Sequence, residues 1–219
     1  MVETARRREI EEAASSLFRE RGYSGTSVRD IARALDIQGA SLYAHVTSKQ
    51  DVLWSIVERM ATRFETSAAA VLAATGQDQS GGPATQLAAL VRNHVIVVTD
   101  DIERASVFVH EWRSLSSDHR AEMARRRDAY EGRFRAVIAA GTAAGVFAPV
   151  DPAVTASYIL TALNGLVAWY RPAGRLKPET LADSFAELSM RAVLSTGPTG
   201  DHGTSVAGSA RSTGTGGAG

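Results

Sequence analysis

Residues 27–45 read SVRDIARALDIQGASLYAH, and their pattern decides the fold. Val28, Ile31, Ala32 and Leu35 recur at helical spacing, so the first half is a short amphipathic helix that Ser27 or Thr26 caps. Asp36-Ile37 forms a tight turn, and Gln38 to His45 fits another short helix with Leu42 facing inward. Working outward, Ile10, Ala13, Ala14, Leu17 and Phe18 fall at i, i+3, i+4, i+7 and i+8, which predicts a helix over 4–21 that Gly22 stops. Downstream, Thr47 or Ser48 caps a long helix from Lys49 whose stripe is Val52, Leu53, Ile56, Val57, Met60 and Phe64. Three short helices with a tight turn between the second and third have the organisation of a helix-turn-helix. Hydrophobic spacing alone does not distinguish this from other three-helix packings.

The remaining chain continues in the same helical period. TGQDQSGGP over 75–83 has no periodicity and reads as a loop, with Pro83 opening a helix through Thr99. Helical segments follow over 102–115, 118–144, 152–168 and 178–194, separated at Gly145, Asp151-Pro152 and the Arg171-Pro172-Ala173-Gly174 break. No strand pattern occurs, so the expected class is all-α. Residues 196–219 are mostly Gly, Ser and Thr and cannot offset their ordering entropy, which predicts a disordered tail. The expected organisation is a DNA-reading domain over 1–47, a helical bundle over 48–195 and the tail.

Composition narrows the chemistry. The formal net charge is zero, so any contact with nucleic acid must come from a local basic face. The absence of cysteine excludes disulfides, thiolate nucleophiles and cysteine zinc sites. Arg6, Arg7 and Arg8 are followed by amphipathic rather than continuously apolar sequence, so no signal peptide is expected. Aliphatic runs such as Val95 to Val98 fall far short of the roughly 20 apolar residues that cross a bilayer. A soluble, cytoplasmic protein is the expectation. His110-Glu111 lacks the second histidine of a zinc-protease helix, and neither a phosphate-cradling glycine loop nor a nucleophile elbow is present. No enzyme, metal or cofactor is expected.

The N-terminal residues match a known pattern in order: Ile10, Ala13-Ala14, Leu17-Phe18, Gly22-Tyr23, Gly25-Thr26-Ser27-Val28, Asp30-Ile31-Ala32, Ser41-Leu42-Tyr43, His45, Ser48-Lys49 and Asp51-Val52-Leu53. This segment resembles the Tet repressor (TetR) family of transcriptional regulators. The resemblance implies a ligand-responsive repressor of double-stranded operator DNA. Thr26 and Ser27, at a helix N-terminus, together with Tyr43, His45 and Lys49, are the expected phosphate contacts. Arg29, Gln38, Ala40 and Ser41 are expected to read bases, with Gly39 beside them lacking a side chain. Tyr43 also fits half-buried core and His45 a structural role. Arg6 to Arg8 suit a basic arm over DNA, or a solvated face. Gln38 stands where the family commonly has a capping Ser or Thr, which weakens the cap and supplies a reader.

For the bundle, the resemblance implies dimerisation through the last two helices and an effector pocket. Leu163, Trp169, Leu181, Phe185 and Leu188 are the expected interface residues of a homodimer, with intrachain core as the alternative. Phe108, Trp112, Tyr130, Phe134 and Tyr158, with Asn164 among their polar neighbours, suit an elongated apolar effector oriented by a few polar groups. Gly145-Val146-Phe147 with Asp151, and Trp169-Tyr170-Arg171-Pro172 with Gly174-Arg175-Leu176, look like the branch that governs fatty-acid, steroid or aromatic-acid catabolism and senses acyl-CoA thioesters. Against this, Leu160, Asn164 and Ala168 bring no basic group for CoA phosphates, and Arg125, Arg126, Arg127, Arg133 and Arg135 also fit a solvated face. A lipophilic drug, fatty acid or steroid is the alternative effector, and a constitutive DNA binder the alternative function.

Overall fold

A computed structural model describes residues 5–77 and 81–194. Helices joined by turns and short loops make up the described chain, with no strand among those residues. The expected tail over 196–219 lies outside them.

Helix α1 (Ala5–Arg21) buries Ile10, Ala14, Leu17 and Phe18, and Gly22 ends it at φ 75°, a left-handed conformation that glycine adopts without strain. Ser27 caps α2 (Val28–Ala34) through a reciprocal box. Its Oγ accepts the Asp30 N–H at 3.2 Å, and its own N–H donates to Asp30 Oδ2 at 2.9 Å. Asp36, at φ 52°, turns the chain into α3 (Gly39–Tyr43), whose N-cap Gln38 makes no side-chain capping bond. The long α4 (Lys49–Gln77) buries every predicted member of its stripe and runs on into the expected loop.

The centre of the bundle is α5 (Pro83–Asp100), a helix with a broad buried face packed by α4, α6 (Ile102–His110), α7 (Ser117–Ala143), α8 (Pro152–Asn164), α9 (Leu166–Trp169) and α10 (Pro178–Leu194). Its closest neighbours are α4 and α10. The α1 helix rests on α4 and α6, so the N-terminal unit sits against the bundle.

Two predicted helices are interrupted. The segment over 102–115 ends as α6 at His110 and continues as a 3₁₀ turn over Trp112–Ser114, while Glu111 directs its carboxylate toward the N-terminal unit. The segment over 152–168 divides at Gly165, where a Cβ would sit only 3.1 Å from the Ala162 carbonyl oxygen. Pro152–Trp169 is nevertheless long and apolar enough for a membrane span by composition, an exception to the expectation from aliphatic runs alone. Only 33% of it is buried within the chain, and it carries a kink, so it presents an apolar outer face.

Candidate DNA-reading surface and effector cavity

The short α2–turn–α3 unit leaves a continuous polar surface. Ser27, Arg29, Gln38, Ala40, Ser41, Tyr43 and His45 are exposed and Gly39 half-exposed, while Leu42 anchors α3 from beneath at full burial. Arg29, Gln38 and Gly39 border one shallow depression between the two helices. Ser27 is committed to the α2 cap, and its hydrogen bonds hold the Asp30 carboxyl below the usual range.

Two expected phosphate contacts are employed inside the protein instead. Thr26 is buried, and its hydroxyl donates to the carbonyls of Gly22 at 3.0 Å and Leu17 at 3.3 Å, tying the turn to the last part of α1. Lys49 Nζ donates to the carbonyls of Tyr23 at 2.8 Å and Thr26 at 2.7 Å and lies 4.0 Å from the Tyr23 ring centroid. Lys49 therefore staples the α1–α2 turn to the start of α4. The expected arginine arm is likewise partly a brace. Arg7 donates to the His45 carbonyl at 3.2 Å and to Asp51 Oδ1 at 3.0 Å, and Arg6 pairs with Glu9, leaving Arg8 exposed.

A second site lies inside the bundle. A cavity of about 310 Å³ opens between α4, α5, α6, α7 and α8, with Phe64, Phe108 and Leu160 giving it apolar walls. Phe108, Tyr130 and Asn164 line it as expected. Phe134 does not; it is fully buried behind Tyr130, with ring centroids 5.7 Å apart. Trp112 stands outside the lining, in the 3₁₀ turn, where it stacks against Arg113 and Arg127. Tyr158 points away from the cavity and is 64% exposed on the outer face of α8.

Sequence reasoning missed His94, which stands beside Arg92 and Asn93 between Val91 and Val95 and is set apart from them only by its burial in the fold, Arg92 being exposed and Asn93 half-buried. Its Nδ1 lies 3.1 Å from the Tyr130 hydroxyl and its ring packs 4.7 Å from Phe64. Burial pushes His94 down to about 3; a polar interaction with Asn164 opposes this and the Arg127 charge reinforces it. Burial also pushes the Tyr130 phenol well above its usual value, so it stays protonated in its hydrogen bond with Nδ1. His94 Nε2 and Asn164 Oδ1 have no hydrogen-bond partner. Burial, and then the nearby Arg113 charge, lower Arg127 from its ordinary value.

The expected interface residues divide between core and surface. Leu163 and Leu181 are buried within the chain, because the inner faces of α8 and α10 close the bundle. Trp169 and Leu188 are exposed, the latter by 61%, and half-buried Phe185 stacks on Trp169 at 6.5 Å. With Val154 and Tyr158 they form an outward apolar surface on α8–α10. No cluster of metal-ligating side chains occurs among the described residues.

Residues 10–56 match the family model of bacterial regulatory proteins, tetR family, and residues 80–193 match that of the tetracyclin repressor-like C-terminal domain. The HTH-type transcriptional repressor KstR2 of Rhodococcus jostii (strain RHA1) is 25% identical over 198 residues, covering 88% of this chain and 93% of that protein. The TetR family regulator PfmR of Thermus thermophilus superposes with a TM-score of 0.73 at 30% identity, over 83% of this chain and 97% of that one. AibR, crystallised with isovaleryl coenzyme A and operator DNA, superposes with a TM-score of 0.72 at 28% identity, over 86% and 98%.

Proposed function

Because the chain belongs to the TetR family of bacterial regulators, we propose that it is a homodimeric transcriptional repressor, acting in the cytoplasm, that leaves its operator when a small molecule fills the bundle cavity. The observation that carries this reading is one helix serving both sites. At its start α4 holds the DNA-reading unit through Lys49, and about 18–22 Å further along, at 1.5 Å per residue, Ala61 and Phe64 wall the cavity. A ligand that displaces Phe64 therefore acts on the helix that sets the pose of α3. The DNA-reading unit over 1–47 and the bundle over 48–195 are distinct in role though joined by one core.

Dimerisation follows from geometry. Two copies of α3 must reach major grooves about 34–36 Å apart, and the exposed Val154, Tyr158, Trp169 and Leu188 supply an apolar surface for a second copy. Ser27, Tyr43 and His45 position the complex on phosphates, while Arg29, Gln38, Ala40 and Ser41, beside Gly39, read bases. An acyl-CoA or similar apolar effector is supported by the AibR complex.

Selection of binding sequences from random duplex DNA with the purified full chain tests the DNA reading; the expected product is an inverted repeat. Gel-shift titration of the selected duplex with isovaleryl-CoA and with free lipophilic acids tests the switch. A selection without an inverted repeat, or cavity ligands that leave operator affinity unchanged, overturns the corresponding half.

A further inference from the structure

Five charged residues line the cavity: Glu65, Arg126, Arg127, Asp128 and Glu131. Four of them make ion pairs, Arg126 with Glu65 at 2.8 Å, and Asp128 and Glu131 with the one Arg135 at 2.9 and 3.3 Å. Arg127 has no such pair among the described residues. Its guanidinium instead lies between two aromatic faces, 5.0 Å from the Phe108 centroid and 5.2 Å from that of Trp112. Arg113 also approaches Trp112, 4.7 Å from its centroid, so two like charges converge on one ring, while Glu131 acts on Arg127 through space without an ion pair. A largely buried cation without a direct ion pair is costly, and it persists where a further anion completes the charge.

The cavity also holds two unsatisfied atoms of complementary character. In the tautomer in which Nδ1 accepts from Tyr130, the buried His94 presents Nε2–H as a donor and Asn164 Oδ1 is an acceptor; the two attract one another, yet neither atom completes a hydrogen bond. A single hydroxyl group answers both, accepting from one and donating to the other.

We propose that the cavity recognises a compact hydroxylated organic acid, with Arg127 binding its carboxylate and the His94–Asn164 pair binding its hydroxyl. The proposal rests on the cavity being the effector site and names the class it admits. Size agrees, since about 310 Å³ equals the liquid volume of roughly ten waters. That space suits a one-ring acid rather than a coenzyme A thioester enclosed whole. The acyl end of a thioester, moreover, carries no charge for Arg127.

Isothermal titration of the full chain with 4-hydroxyphenylacetate, 3-(4-hydroxyphenyl)propionate and 6-hydroxyhexanoate tests it, each against its methyl ester and its coenzyme A thioester. At least one acid is expected to bind about tenfold or more tighter than both derivatives, the ratio a charge-assisted hydrogen bond supports. Arg127→Gln removes that preference and Arg127→Lys restores part of it. Asn164→Leu removes the preference for the hydroxylated acid over its deoxy parent. If no acid shows the discrimination, or Arg127→Gln retains it, the proposal falls. Thioesters that bind and release operator where acids do not would overturn this ligand class and leave the effector reading intact. An acid bound through Arg127 without effect on operator affinity would overturn the effector reading and leave the site.

Discussion

Glu111 Oε1 accepts the Tyr23 backbone N–H at 3.1 Å, joining the turn after α1 to the joint between α6 and the 3₁₀ turn. Beside it, Gln50 at the start of α4 donates to the Ser114 carbonyl at 2.8 Å and accepts the Ser116 N–H at 3.1 Å. Tyr23 thus ties the DNA-reading unit to the segment that carries Trp112 and Arg113, and Gln50 ties that segment to α4. Glu111→Ala leaves the partly buried Tyr23 N–H without its acceptor, a loss of about 1–2 kcal/mol. Hydrogen exchange of the Tyr23 amide should accelerate in Glu111→Ala and remain slow in Glu111→Gln, which keeps the accepting oxygen. Equal protection in both variants would show that the contact does not hold the units together.

The proposed DNA surface divides into positioning and reading groups. Tyr43→Phe should weaken all operators alike, whereas Gln38→Ala should alter preference among them by about 1–3 kcal/mol at one base pair. Anisotropy titrations against single-base operator variants measure both, and the reverse pattern would overturn the division. Thr26→Val provides the contrast. Its hydroxyl serves the α1–α2 turn, so the substitution should lower stability by about 1–2 kcal/mol and leave the operator affinity of the folded dimer unchanged.

The outward face of α8 and α10 gives a test of assembly. Leu188→Asp places a charge on an apolar surface that a second copy would desolvate. Sedimentation should show the wild-type chain as a dimer and the variant as a monomer with unchanged helical content. A dimeric variant would locate the interface elsewhere.

The sequence showed the helices well because their apolar stripes obey one period, and the order of residues from Ile10 to Leu53 restricted the N-terminal unit further. It showed side-chain direction poorly. Leu163 and Leu188 are both leucines on the closing helices, yet one is core and the other surface, because each helix has two apolar faces. Tyr158 was misplaced for the same reason. Thr26 and Lys49 were misread because the carbonyls they satisfy come from a turn whose three-dimensional course no local pattern specifies. His94 and Arg127 acquire meaning only when α5 and α7 bring them to one cavity.

Burial makes His94 a source of acid sensitivity. The folded pKa is about 3, against about 6.5 for the unfolded chain, so below pH 6.5 the unfolded state takes up a proton that the folded state does not. This contribution to stability is complete above pH 6.5 and falls by about 1.4 kcal/mol per unit as the pH drops toward 3. Denaturant midpoints at pH 7 and 5 should therefore differ by about 2 kcal/mol more for the wild type than for His94→Gln. Equal pH dependence in the two proteins would mean that His94 is not held neutral.

Gly141 and Phe147 form the sharpest packing constraint at the end of α7. The chain reverses at Gly145, with φ 68°, and the N–H groups of Val146 and Phe147 both donate to the Gly141 carbonyl, at 2.9 and 3.0 Å. This folds the Phe147 ring back onto α7, where a Cβ at Gly141 would lie inside it. Alanine normally favours a helix interior over glycine by about 1 kcal/mol. Here overpacking, which costs about 1–3 kcal/mol, should outweigh that gain, so Gly141→Ala is expected to lower stability. The double variant Gly141→Ala/Phe147→Leu has a smaller side chain over the new methyl and should lose less than the two single losses added together. Chemical denaturation of the four proteins measures the coupling, and strict additivity would show that the ring and the glycine do not constrain each other.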